Sequence, residues 1–228
     1  MDSKHPLYKK LETLSGRGLK ILDIGGWFGP CKIATHMIDV MPYETMNREG
    51  SYGPGVLDLK KENYHQIDLS LGEKFPFPDK YFDFVVCRHT LEDIANPVAV
   101  CSEIKRVAKE GYLETPHRVY ESTRGVERHW WAGHYHHRWF VEMEKNQVIF
   151  QFKPHCLHAN PRFVWWCPPW RKVKEEFKNT GIFFSGSFDA KERVIIDYRD
   201  VKTDLAQFKN SYRSKKIFRF KWLENKLD

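Results

Sequence analysis

Apolar positions in the first half of the chain come in short blocks divided by glycine, proline and polar residues, a pattern of buried strands alternating with helices or loops. Leu7, Leu11 and Leu14 fall at i, i+4 and i+7, so Pro6 to Ser15 is predicted as a short helix, broken by Ser15-Gly16-Arg17-Gly18. Leu19 to Ile24 reads as a buried strand running into glycines, and Thr35 to Val40 as a second strand ended by Met41-Pro42. Tyr64 to Ser70 is expected as a third strand and the strongly apolar Tyr81 to His89 as a fourth. Asn96-Pro97 opens a helix with an apolar face of Val98, Cys101, Ile104, Val107 and Ala108, ended by Gly111 and followed by a strand over Gly111 to Thr115. These alternations predict an α/β fold: a Rossmann-like, mostly parallel sheet flanked by helices.

The pattern changes at His117. Between His117 and Trp170 the chain holds six of its eight tryptophans and seven of its eleven histidines. Two short strands are expected there, HRWFVEME and QVIFQFK, as a hairpin across Lys145-Asn146. A charged helix is expected over Arg171 to Asn179, then a closing strand pair in GIFFSGSF and KERVIIDYR, and a helical tail from Thr203. We therefore expect one domain over residues 1–228. Residues 1–116 form its cofactor-binding half, 117–170 an aromatic insertion or lid, and 171–228 the rest of the sheet and a basic tail.

Composition narrows the class. At 228 residues and 41% hydrophobic content the chain can bury its own core. No apolar run reaches the roughly 20 residues needed to cross a bilayer, and the polar start MDSKHPLYKK lacks the apolar core of a signal peptide. Five cysteines without a C-x-x-C read as free thiols in a reducing compartment, so the expected location is cytoplasmic. Of the net charge of +7, +5 lies between Lys191 and Asp228, where 11 Lys/Arg face 6 Asp/Glu. Such a tail can attract nucleic acid, but its cations are interspersed with acids and read first as a solvated surface.

Candidate chemistry lies at the strand exits. Asp23-Ile24-Gly25-Gly26-Trp27-Phe28-Gly29 carries glycines directly after the first strand, where backbone can turn sharply against a ligand. Asp39 ends the second strand, where a carboxylate can accept from two ribose hydroxyls, and Asp68 stands late in the third. Only 16 positions separate Asp23 from Asp39, leaving room for about one helical turn, so the first crossover is expected to be short or a loop.

From Leu19 to Pro116 the chain resembles the class I S-adenosylmethionine-dependent methyltransferases, particularly the type 11 methyltransferase domain. LKILDIGGWFG resembles the family's first motif, IDV its ribose-binding acid, and FPFPDKYFDFVVCRHTLED its fourth-strand region. The resemblance implies S-adenosyl-L-methionine as cofactor, with Asp23, Gly25, Gly26, Gly29, Asp39, Asp68, Leu69 and Arg88 at its site. Gly25 and Gly29 would border its methionine end, Asp39 would hold the ribose, and Asp68 and Leu69 would contact adenine. Arg88 and His89 would flank the sulfonium and acceptor. Trp27 replaces the motif's middle glycine, so its indole must point away from the pocket. A hydroxyl acceptor also needs a base; His89 is the first candidate, with Asp93 and His117 as the others.

The aromatic insertion suits a flat, polar acceptor such as a sugar, giving an expected small-molecule or glycan O-methyltransferase. A non-catalytic binding protein on the same fold and an RNA or DNA methyltransferase are the alternatives. Cys167-Pro168-Pro169-Trp170 only partly matches the amino-methyltransferase signature. The histidines of HWWAGHYHHRW and HCLH match no metal-ligand spacing, and no metal is assigned. Read as a strand, this stretch would put His134 and His136 on one face and His137 on the other.

Overall fold

The computed structural model describes residues 5–220; the first four and last eight residues, parts of the polar start and the basic tail, lie outside the described residues. In chain order the main elements are α1 (Pro6–Leu14), β1 (Ile21–Ile24), β2 (His36–Asp39), β3 (Tyr64–Gln66), β4 (Phe82–Arg88), α2 (Pro97–Val107) and β5 (Ala108–Pro116). They continue with α3 (Arg118–Glu121), β6 (Trp139–Glu144), β7 (Gln147–Phe152), β8 (Asn179–Ser185) and α4 (Tyr198–Ser211).

The chain divides into two compact units. The first runs to Glu114 and takes back residues 144–147 and 181–190; the second holds the other described residues. A six-stranded sheet in the order β8-β5-β4-β1-β2-β3 organises the first unit. The pairs β1·β2, β1·β4, β2·β3 and β4·β5 are all parallel. Phe82, Phe84, Val85, Val86 and Cys87 are buried on β4, the continuous apolar run expected of a parallel strand covered on both faces. Leu7, Leu11 and Leu14 of α1 pack with Ile21, Phe84 and Val86.

Between β1 and β2 there is no helix. Residues 25–35 form an irregular loop, as the 16-position spacing predicts. The Asp23 carboxylate accepts from the Cys31 N–H at 2.7 Å, closing across this loop where a crossover helix would otherwise stand. Asn96 caps α2 by accepting from the Ala99 N–H at 3.1 Å.

Several expectations are corrected. Gly111 does not end α2: the helix stops at Val107, and Gly111 lies inside β5. The buried face of α2 uses Val100 with Cys101, Ile104 and Val107, while Val98 is half-buried. β3 ends at Gln66, because Asp68 caps a 3-10 turn over Leu69–Leu71 instead of extending the strand. Arg171 to Asn179 is not a helix. Arg171–Val173 is a strand paired with Phe218–Phe220, and Glu175–Phe177 a 3-10 turn. GIFFSGSF contributes β8, but its expected partner is only a short strand, Asp189–Glu192, in a different sheet.

The hairpin β6–β7 forms as predicted, its strands mostly in the second unit and its turn in the first, with Lys145 in the left-handed region at φ +52°. Phe140, Leu157, Phe163, Val164 and Leu205 make one core cluster in the second unit. Val119, Cys167, Val173, Phe177 and Ile217 make another. No helix among the described residues is long and apolar enough to cross a membrane.

Candidate functional site

The site is assembled at the exits of β1, β2 and β4. β1 ends at Ile24 and the backbone turns at Gly25 with φ +74°. A Cβ at Gly25 would fall 1.9 Å from Thr90 Oγ1, so conformation and space both demand glycine. The Thr90 hydroxyl, two residues past β4, donates to the Arg88 carbonyl at 3.0 Å and lies 3.3 Å from that of Ile24. This threonine thereby fastens the β4 exit over the β1 exit.

Asp39 ends β2. Its Oδ2 accepts from the Trp27 N–H at 3.0 Å and its Oδ1 from the Met41 N–H at 2.9 Å. Burial raises its pKa, opposed by these backbone bonds. Each oxygen keeps a second lone pair, the requirement for receiving two vicinal hydroxyls. Asp68 accepts from the Ser70 N–H at 2.9 Å, setting the turn on which Leu69 is buried.

His89 follows β4 directly, in the left-handed region at φ +51°, a conformation that costs a non-glycine residue about 1–3 kcal/mol. Its N–H donates to the Glu114 carbonyl at 2.9 Å. Its ring Nε2 lies 3.4 Å from Glu114 Oε1 and its Nδ1 3.8 Å from Glu92 Oε1. Glu114 also receives Arg88 Nε at 2.8 Å and Tyr112 OH at 2.7 Å. Although its burial opposes ionisation, bonds from His89, Arg88 and Tyr112 hold this carboxyl down to about 2.

These exits enclose a cavity of about 290 Å³. Gly25, Asp39, Asp68, Leu69, His89 and Asp93, all singled out in the sequence, line it. Val40, Ser70, Thr90 and Ile94 line it too, without having been anticipated. Ser70 and Thr90 each follow an anticipated residue by one position, which was the only signal available for them.

Asp23, Gly26, Gly29 and Arg88 are not among the lining residues. The Asp23 carboxyl is turned into the loop toward Cys31, and burial pushes its pKa up to about 7 despite that bond. Gly26 lies against this carboxylate, and Gly29 against the Gly50 carbonyl. Arg88 is held by Glu114 and lies over the Tyr52 ring, 4.7 Å from its centroid. Trp27 turns its indole onto Met37, Met46 and Leu59 and donates from Nε1 to Thr45, so the motif's missing glycine does not fill the cavity. His117 belongs to the second unit, where its Nδ1 accepts from the Val119 N–H at 3.0 Å as the cap of α3. Burial lowers its pKa to about 4, so it is neutral at physiological pH.

Strand order β3-β2-β1-β4-β5, all parallel, with a ligand-sized cavity where the order reverses beside β1, is the doubly wound arrangement. Residues 51–113 match the methyltransferase domain family model. This is a class I methyltransferase fold. A 55-residue stretch is 44% identical to an uncharacterized methyltransferase of Schizosaccharomyces pombe, covering 23% of this chain and 20% of that protein. The chain thus spans about a fifth of the length of this curated relative. An S-adenosylmethionine dependent methyltransferase from Mesorhizobium loti is 15% identical, with 66% of this chain and 65% of that one covered and a TM-score of 0.33. A SAM dependent methyltransferase from Aquifex aeolicus is 23% identical, with 52% and 69% covered and a TM-score of 0.28. The matched methyltransferase domain implies S-adenosylmethionine as the cofactor. The matched stretch contains Asp68, Leu69, His89 and Asp93, whereas Gly25 and Asp39 lie outside it and line the same cavity.

Proposed function

We propose that this chain is an S-adenosylmethionine-dependent methyltransferase acting on the hydroxyl of a small molecule or glycan. The observation that carries the reading is the single cavity bringing Asp39, Asp68, Leu69 and His89 together at the strand exits. The donor set fits the cofactor: a two-oxygen acceptor for ribose hydroxyls at Asp39, an acid beside an apolar side chain for adenine at Asp68 and Leu69, and glycine at the β1 turn. When bound, S-adenosylmethionine supplies a methyl group on a sulfonium sulfur, already activated for displacement.

The chain's own work is orientation, exclusion of water and handling of one proton. His89 takes the acceptor's hydroxyl proton on its ring. The Glu114 and Glu92 carboxylates beside its nitrogens stabilise the imidazolium so formed. Asp93, which also lines the cavity, orients the acceptor hydroxyl. His117, already committed to capping α3, has no part in this scheme.

For the acceptor, Trp139 is core, packed in the hairpin against Phe150. Trp130, Trp166 and Trp170 are 68%, 58% and 56% exposed, and these three support stacking on sugar rings. Calorimetric titration with S-adenosylmethionine and S-adenosylhomocysteine tests the cofactor assignment. We expect micromolar binding by the wild type, at least about tenfold weaker in Asp39→Ala. Asp39→Asn, which keeps an acceptor for the Trp27 N–H, controls for folding. Absence of wild-type binding at millimolar ligand overturns the proposal. A screen of sugars with methyl-labelled donor then tests the acceptor class.

A further inference from the structure

Residues 125–138 of the second unit form an irregular loop, not a strand, apart from an isolated bridge at Ala132. The alternation that would set His137 on the opposite face from His134 and His136 therefore does not operate. Instead the His134 and His137 rings come together with centroids 4.6 Å apart, and His136 and His137 with centroids 4.5 Å apart. Glu121, the last residue of α3, reaches the same place: its Oε1 lies 2.9 Å from His137 Nδ1. Glu121, His134 and His137 each offer a donor atom, all within 4.8 Å of one another.

We propose that Glu121, His134 and His137 form a binding site for a zinc-class divalent ion that anchors this histidine-rich loop to α3. Two imidazoles and one carboxylate are a donor set that zinc prefers, with a fourth position left for water. The spacing agrees as well. Donors about 2.0–2.1 Å from a tetrahedral ion stand about 3.3 Å apart, within a few tenths of an ångström of the Glu121–His137 separation. The carboxylate is already positioned. Lys153, 1% exposed, donates to the other oxygen, Oε2, at 2.6 Å and to the carbonyls of Ala132 and His134 at 2.9 and 2.8 Å. Its ammonium thus holds Glu121 Oε2 and the loop backbone, while the other oxygen, Oε1, meets His137.

The test uses the full chain stripped with a chelator and then titrated with zinc against a chromophoric competitor. One ion per chain is expected, with a dissociation constant below about 1 μM. Loss of more than about a hundredfold in affinity is expected in His137→Ala and in the milder His134→Ala, whose ring is half-exposed and leaves the buried Glu121–Lys153 pair intact. His155→Ala, outside the cluster, should bind as the wild type does. Cobalt(II) in place of zinc should give the intense visible absorption of four-coordinate geometry, lost in His134→Ala. A wild type that binds zinc no more tightly than the His134→Ala/His137→Ala double variant overturns the proposal. So does a cobalt spectrum unchanged by His134→Ala.

Discussion

Glu114 shows how much one side chain can organise. Its buried carboxylate receives Arg88 on Oε1 and both His5 Nε2, at 2.8 Å, and Tyr112 OH on Oε2, while its backbone carbonyl holds His89 in its left-handed conformation. Its pKa lies below the usual carboxylate value in the folded state, so the stability it contributes is present above about pH 4.5 and lost as pH falls toward 2. Against an unfolded value of 4.5 this amounts to about 3 kcal/mol. Urea unfolding of the wild type should therefore show stability dropping across this window, and Glu114→Gln should flatten that drop. The same variant leaves the half-buried Arg88 guanidinium without its counter-charge and should lose about 3 kcal/mol at pH 7. A wild-type profile no steeper than that of Glu114→Gln would remove Glu114 from this role. Asp23 has the opposite sign. Its folded pKa is raised, so its contribution weakens stability as pH rises from about 4 to 7. Asp23→Asn keeps an acceptor for the Cys31 N–H and should gain on the wild type over that range, as measured by the same unfolding series.

At the scale of elements, Gly111 carries the clearest prediction. A Cβ there would lie 2.4 Å from Val85 Cγ1, 2.6 Å from Phe184 Cε1 and 2.7 Å from the Val85 carbonyl oxygen, so β4 and β8 both press on β5 at this point. Gly111→Ala should cost about 1–3 kcal/mol through overpacking. A variant as stable as the wild type in urea would show that these strands yield without cost. The same glycine explains a misreading. Glycine after an amphipathic stretch is ordinarily a helix stop, and only the strands on either side reveal that it is a packing requirement. What was legible had strong local causes. The apolar runs gave β1, β2 and β4, Asn96-Pro97 gave the start of α2, and Lys145-Asn146 gave the hairpin. The acids at Asp39 and Asp68 were legible because a strand exit is a fixed place in this architecture. Thr90 over Gly25 and Glu114 beneath His89 were not legible, since each depends on two strands lying side by side. The 125–138 loop misled because alternation was assumed where no strand forms.

The charge of the whole molecule bears on what it binds. A net +7 invites a nucleic-acid reading, but position matters more than the sum. Many cations of the second unit are paired with acids. Arg118 meets Glu142 and Asp204, Arg193 also meets Asp204, and Lys178 and Arg219 both meet Glu175. Lys209 donates to the carbonyls of Arg162 and Val164. A cation already holding a carboxylate or a carbonyl must give up that partner to reach a phosphate, so few of these charges release counterions on binding. Anisotropy titration with labelled single-stranded RNA should therefore give weak association at 150 mM salt, with a dissociation constant above about 10 μM and a log–log salt slope below about 3. A slope of about 6 or more with submicromolar binding would mean that these pairs open readily, and the acceptor screen would then turn from sugars to RNA. Weak, shallow binding leaves the cavity at the strand exits, with its acids and its histidine, as the part of the first unit to test against small acceptors.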